Sequence, residues 1–170
     1  MSLSMYQASV PVFVQLLEAL SVCLDKAIAH AEAKKYDSAV LVGTRLIPDM
    51  LPFSTQIQIA TDHAKGAPAR LAGIEPPAMD DNEKTLPELK ARIAKTVDFL
   101  KTLKPAQIDG SEARPIELKL RTRTLNFTGQ VYLLHFAMPN FYFHVTTAYD
   151  ILREAGVDIG KRDFIGQVPA

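Results

Sequence analysis

The stretch that most constrains the fold runs from Thr128 to Gly156 and contains the densest apolar run of the chain. Thr128 is a suitable N-cap and Gly156 a suitable residue beyond the last turn, so the stretch predicts one helix of about 28 residues, roughly 42 Å long. Its inner half, residues 131–143, is apolar on every side except at His135 and Asn140. We therefore expect other helices or a second subunit to surround that half.

Three earlier segments repeat apolar residues three and four apart, the spacing that lines one face of a helix in a bundle. They cover residues 9–33, 49–71 and 85–103. The second segment has Asp49 as its candidate N-cap, and the third opens with the capping-box pair Thr85 and Glu88. With the last helix, these segments predict a mainly α-helical, four-helix bundle that occupies residues 1–170 as one domain.

Prolines affect three of these helices. The first helix begins either at Ser4, with a kink at Pro11, or at Ser9, with Pro11 in its tolerant first turn. Pro68 is expected to kink or end the second helix, because it lacks a backbone donor and crowds the carbonyl four residues back. Pro139 lies inside the last helix, and a break there would change the relative directions of the side chains on either side.

Residues 116–127 depart from the helical repeat. Apolar and polar residues alternate from Ile116 to Leu120 and again from Thr124 to Phe127, which is the period of a strand. A turn at residues 121–123 would join the two strands into a small hairpin directly before the last helix. Beyond that helix, we expect the C-terminal tail to lie on the bundle through Ile159, Phe164 and Ile165.

Composition narrows the classes of partner. The chain has 170 residues, is 48% hydrophobic and balances nineteen basic against nineteen acidic residues. Because the net charge is zero, the chain has no overall electrostatic attraction for nucleic acid or an anionic membrane. No apolar run reaches the roughly 18 residues of a membrane span. The N-terminus lacks the pattern of a signal peptide and the single Cys23 cannot form an internal disulfide, so we expect a cytoplasmic protein.

The last helix carries two histidines with different expected roles. His135 and His144 are nine residues apart, which places them about 180° apart on a straight helix, so they cannot share one metal ion. His135 lies among apolar neighbours and is interpreted as a core residue with a hydrogen-bond partner. His144 lies one turn after Asn140, and the two side chains are candidates for a shared polar site.

The second helix supplies the candidate partners of His144. Gln56 and His63 are seven residues apart and fall on one side of that helix, whereas Gln58 and Asp62 fall on another. If the Gln56 side meets the His144 face, a polar cluster forms inside the bundle, where such proteins place ligand and metal sites. The candidate ligand-binding residues are therefore Asn140, His144, Gln56 and His63, and no motif in the chain specifies a reaction.

Four segments of the sequence resemble a known superfamily: SLSMYQASVPVF at the start, the run from Asp49 through QIQIATDHAKGA, the stretch FTGQVYLLHFAMPNFYFHVTTAYDILREAGVDIG, and GKRDF. The chain resembles an uncharacterised bacterial family within the DinB/YfiT-like superfamily, over almost its whole length. The resemblance implies a DinB-like four-helix bundle, often a homodimer. Better-known relatives hold a divalent metal with three histidines and include thiol-dependent transferases and isomerases.

The three-histidine pattern carries over to this chain in part. His144 stands where the second histidine of the last helix is expected, but the position four residues earlier is Asn140. The third ligand would come from the second helix, where Gln56, Gln58 and His63 are all candidates. An amide oxygen is a much weaker ligand than imidazole for zinc or nickel.

Two functional hypotheses follow. The first is a helical-bundle homodimer with a degenerate or absent metal site, in which no metal binds tightly and a small apolar ligand is an optional partner. The second is a divalent-metal-dependent enzyme of the thiol transferase or isomerase type that uses zinc, nickel or manganese through His144.

Overall fold

The computed structural model describes residues 3–120 and 122–168, and it is mainly helical with one small β-hairpin. The predicted fold class is confirmed. In chain order, the elements are α1 (Val10–Lys34), α2 (Ala39–Gly43), α3 (Phe53–Ala72), α4 (Leu86–Thr102), α5 (Pro105–Ile108), β1 (Pro115–Lys119), β2 (Thr124–Thr128), α6 (Gly129–Tyr132), a π-helical turn (Leu133–Ala137), α7 (Met138–Glu154) and α8 (Lys161–Ile165).

Four long helices enclose the core. Helix α3 packs against α4 and α7, and α1 packs against α4 and α7. Each contributes a stripe of fully buried side chains at helical spacing, as in Phe13, Leu17 and Leu24 of α1. None of the helices in the described ranges has the length and apolar character that a membrane crossing requires.

The helix starts follow local chemistry. Helix α1 begins after Ser9 with Pro11 in its first turn, so the second of the two predicted starts is the observed one. Helix α4 has the predicted capping box, because Thr85 accepts from the backbone of Glu88 and the Glu88 carboxylate accepts from the backbone of Thr85. The prediction of Asp49 as an N-cap was wrong, since Pro52 occupies that position before α3.

Helix α3 continues through Pro68 to Ala72, one turn beyond the proline, so Pro68 does not end it. The helix stops at Gly73, whose φ of 73° is in the left-handed region that glycine adopts without strain.

The predicted hairpin is present, with β1 and β2 antiparallel and Ile116 opposite Phe127. Ile116 is buried in the core, which anchors the hairpin to the bundle. Arg121, in the predicted turn, lies outside the described residues. In the C-terminal tail, Ile159 is buried and Phe164 packs edge-on against Tyr149, whereas Ile165 is exposed and the last two residues are outside the described range.

The last bundle helix, which consists of α6, the π-helical turn and α7, does not break at Pro139. A π-helical turn precedes the proline, and the backbone N–H of Met138 donates to the carbonyl of Leu133, five residues back. Because Pro139 has no N–H, the carbonyl of His135 lacks its usual donor, and a wider turn accommodates this local mismatch.

Residues 3–120 and 122–168 do not surround the inner half of this helix. Tyr132, Leu133, Ala137 and Phe141 are buried, but the opposite face is open to solvent. The exposed fractions on that face are 44% for Val131, 44% for Leu134, 41% for Tyr142 and 56% for Phe143.

Gly129 at the start of α6 provides a test of this packing. A Cβ atom there would lie 2.1 Å from the backbone oxygen of Ser111 and 3.0 Å from a methyl group of Leu71. We expect Gly129→Ala to lower the free energy of unfolding by about 1–3 kcal/mol, the usual cost of overpacking, as measured by urea denaturation. Gly43→Ala is the matched control, because nothing lies within 4 Å of its added Cβ; equal stability of the two variants would contradict the expected clash.

Candidate functional site

The packing of α3 against α7 brings Gln56 and His144 into direct contact. The Oε1 atom of Gln56 lies 2.7 Å from Nδ1 of His144, and both residues are buried. The Nε2 group of Gln56 donates to the backbone oxygen of Leu51 at 2.9 Å. The amide is therefore held at both ends, with its oxygen directed at the imidazole.

This contact determines the tautomer of His144. An amide oxygen only accepts hydrogen bonds, so Nδ1 of the imidazole must carry the proton that it donates to Gln56. In the neutral ring, Nε2 then has the free lone pair. Hydrogen bonding of one ring nitrogen to a carbonyl is also the arrangement that orients metal-binding histidines, so the chemistry of His144 permits a ligand at Nε2.

His63 is the second imidazole at this site. Its ring centroid lies 6.4 Å from that of His144, with the ring planes 13° apart. Two phenylalanines of the last bundle helix make edge contacts with these rings: Phe136 with His63 at 5.8 Å and Phe143 with His144 at 5.2 Å. The site is thus a pair of imidazoles between aromatic rings, with Phe143 on the solvent side.

Asn140 takes a different partner. Its Nδ2 group donates to the backbone oxygen of Phe136 at 2.7 Å, within its own helix. Three of the four predicted site residues, Gln56, His63 and His144, therefore come together, and the amide of Asn140 is bound to the backbone beside the π-helical turn.

The interpretation of His135 as a core residue was wrong, because the structure exposes it on the open face of the π-helical turn. The sequence context was misleading because its apolar neighbours Leu134 and Val131 are exposed as well.

Gln58 and Asp62 lie on the other side of α3, as their spacing predicts. Gln58 donates to Glu83 at 3.0 Å, and Asp62 pairs with the buried Arg92 of α4 at 2.9 Å. Sequence reasoning missed Arg92. The signal for it was a cation inside the apolar stripe of α4, directly before Ile93.

Burial changes the proton affinity of both imidazoles. The pKa of His63 falls from 6.5 to about 4, chiefly through desolvation and also through the nearby His144, against a smaller opposing effect of Asp62. Desolvation lowers the pKa of His144 as well. Both rings are therefore neutral at pH 7, the form in which imidazole nitrogen can act as a ligand or base.

The donor set does not fit a three-histidine metal site. Within residues 3–120 and 122–168, no group of three or more His, Cys, Asp or Glu side chains is placed to hold a metal ion. The Gln56 oxygen already accepts the proton of His144, and an amide oxygen such as that of Asn140 is a much weaker ligand than imidazole for zinc or nickel.

Three cavities of the described chain are lined by residues outside the His144 site. A cleft of about 580 Å³ lies beside α4, and two smaller ones of about 320 and 250 Å³ lie between the end of α3 and β1. His144, Gln56 and His63 line none of these three.

Comparison with known proteins identifies the class. A solved structure described as a DinB family member protein from Shewanella denitrificans is 40% identical to this chain, covers 97% of this chain and 93% of its own, and superposes with a TM-score of 0.87. The fold is therefore that of a DinB-like helical bundle. Residues 5–165 match the family described as domain of unknown function DUF1993, and the chain belongs to that family. No curated protein matches it.

The lowered pKa values predict a stability profile. Because the unfolded chain binds protons at these histidines more tightly than the folded chain does, the free energy of unfolding should fall as the pH drops from about 6.5 towards 4. In the variant His63→Gln, the free energy of unfolding should decrease less over the same pH range. Denaturant unfolding at pH 7.5, 6, 5 and 4.5 measures the slopes, and parallel profiles for the two proteins would contradict the assignment.

Proposed function

We propose that this DinB-like protein acts as a homodimer in which the three-histidine metal site of the superfamily is degenerate. A hydrogen-bonded network of Gln56 and His144 takes the place of that site. The open apolar face of the last bundle helix supports the homodimer. The bond between Gln56 and His144 supports the degenerate metal site.

The network has the properties of a structural element. Gln56 is satisfied by His144 on one side and by Leu51 on the other, and a buried polar pair of this kind costs little once its partners are in place. The bond joins α3 to α7 and so fixes their relative register. A metal held through the Gln56 oxygen would need the amide to leave its present partners.

The dimer is supported by the exposed apolar face defined by Val131, Leu134, Tyr142 and Phe143. Contiguous apolar surface with large aromatic residues is characteristic of protein interfaces. A twofold axis would place the same face of a second copy against it, so that one patch serves both subunits. The ring of Phe143 also contacts His144, and the second subunit would therefore further shield the site from water.

A charge on this face should prevent assembly. We expect wild-type protein to sediment as a dimer in analytical ultracentrifugation and Leu134→Glu to sediment as a monomer, because a buried carboxylate without a partner disfavours the interface. Val22→Glu is the matched control, since Val22 is 49% exposed on α1. A monomeric wild-type protein, or a dimeric Leu134→Glu variant, would rule out this interface.

A second candidate function is a divalent-metal-dependent enzyme of the thiol transferase or isomerase type. One observation favours it: the bond to Gln56 leaves Nε2 of His144 unprotonated, and His63 lies close by. A metal held there would lower the pKa of a bound thiol or water. The described side chains would give such a metal fewer nitrogen ligands than the three histidines of the superfamily pattern.

Metal analysis separates the two candidates. We expect purified protein to contain no stoichiometric zinc, nickel or manganese, and its thermal midpoint to move by less than about 1 °C when each ion is added at tenfold excess. Stoichiometric metal that is lost in His144→Ala and retained in the surface variant His135→Ala would instead support the enzyme and overturn the degenerate-site proposal.

A further inference from the structure

The largest of the three cavities described above lies away from His144, between α4 and the connection that joins α3 to α4. Its volume of about 580 Å³ is within the range of small-molecule sites. The walls that matter for recognition are Met79, Asp80 and Glu83 of the connection and Arg92, Lys95 and Phe99 of α4.

Arg92 builds the wall of this cleft. Its buried guanidinium donates to the backbone oxygen of Asp80 at 2.9 Å and pairs with Asp81 at 3.0 Å and Glu83 at 3.1 Å. On the other side, it pairs with Asp62 of α3. The connection is thus held against the bundle by charge-assisted hydrogen bonds.

Three of the five charged groups that line the cleft already have protein partners. Arg92 pairs with Glu83, and the Glu88 carboxylate accepts from backbone N–H groups at the start of α4. Two opposite charges remain, the Lys95 ammonium and the Asp80 carboxylate. Across residues 3–120 and 122–168, neither of them has an ion-pair partner.

The cleft also offers apolar surface. Phe99 lies one turn after Lys95 on α4 and is half-buried, and Met79 of the connection is half-buried as well. An aromatic ring and a thioether are adaptable partners for an apolar group of moderate size.

We propose that this cleft binds a small zwitterion with an apolar side group, such as a free amino acid. The carboxylate of the ligand pairs with Lys95, its ammonium pairs with Asp80, and its apolar group packs on Phe99 and Met79. The two charges of the ligand are opposite in sign to those of Lys95 and Asp80, so one zwitterion pairs with both groups, which a ligand with a single charge does not.

Titration of ¹⁵N-labelled protein tests the proposal, with L-phenylalanine, 3-phenylpropionate and 2-phenylethylamine as probes. We expect saturable shifts of amide resonances within residues 77–99 for phenylalanine, and binding at least about tenfold weaker for the two probes that lack one charge. Saturation around His144 instead, no saturation at millimolar phenylalanine, or equal affinity for all three probes would each overturn it.

Matched variants test the two charges. Lys95→Gln and Asp80→Asn should each weaken phenylalanine binding about tenfold, whereas Lys101→Gln and Asp98→Asn on the exposed side of α4 should leave it unchanged. Because Asp80 contacts Arg92 through its backbone oxygen, the fold of the connection is retained in Asp80→Asn. Unaltered affinity in both cleft variants would contradict the assigned contacts.

Discussion

The His144 site depends on the packing of α3 against α7. Along α3, Ala60, Ala64 and Ala67 are fully buried, and short side chains of this kind allow a neighbouring helix to approach closely. That approach is what lets a glutamine on one helix reach an imidazole on the other at hydrogen-bond distance. A larger side chain at one of these alanines would separate the helices and, with them, the polar pair, while the hydrophobic pattern of each helix remained intact.

Apolar periodicity was sufficient to predict the four long helices, the hairpin and the fold class, because these follow from local spacing. One helix start was predicted wrongly, because the N-cap of α3 is Pro52 and not Asp49. Pro68 is tolerated because α3 is buried on most sides and the remaining bonds hold the turn. His135 was wrongly predicted to be buried, because apolar neighbours in the sequence do not indicate which side of a helix packs against the rest of the chain.

The candidate site was predictable in part. The angle between residues separated Gln56 and His63 from Gln58 and Asp62, and the structure has the same division. Which side faced α7 depended on the rotation of α3 in the bundle, and a single sequence does not specify that rotation. Arg92 was missed for a related reason: a buried cation is stable only with its carboxylate partners. Two of the three, Asp81 and Glu83, come from a connection whose path the pattern does not predict.

The π-helical turn has a consequence for how this family can vary. A π turn is equivalent to one residue inserted into an α-helix, which rotates everything before it by about 100°. In a regular helix, Leu134 would lie about 80° from Tyr142; with the extra residue, the difference is about 20°. The inserted residue therefore aligns the apolar side chains before and after Pro139 on one face. A relative that lost one residue here would keep the bundle and His144 but present a different outer surface. Helix length at this point therefore determines which side chains form that surface, and sequence identity alone does not measure it.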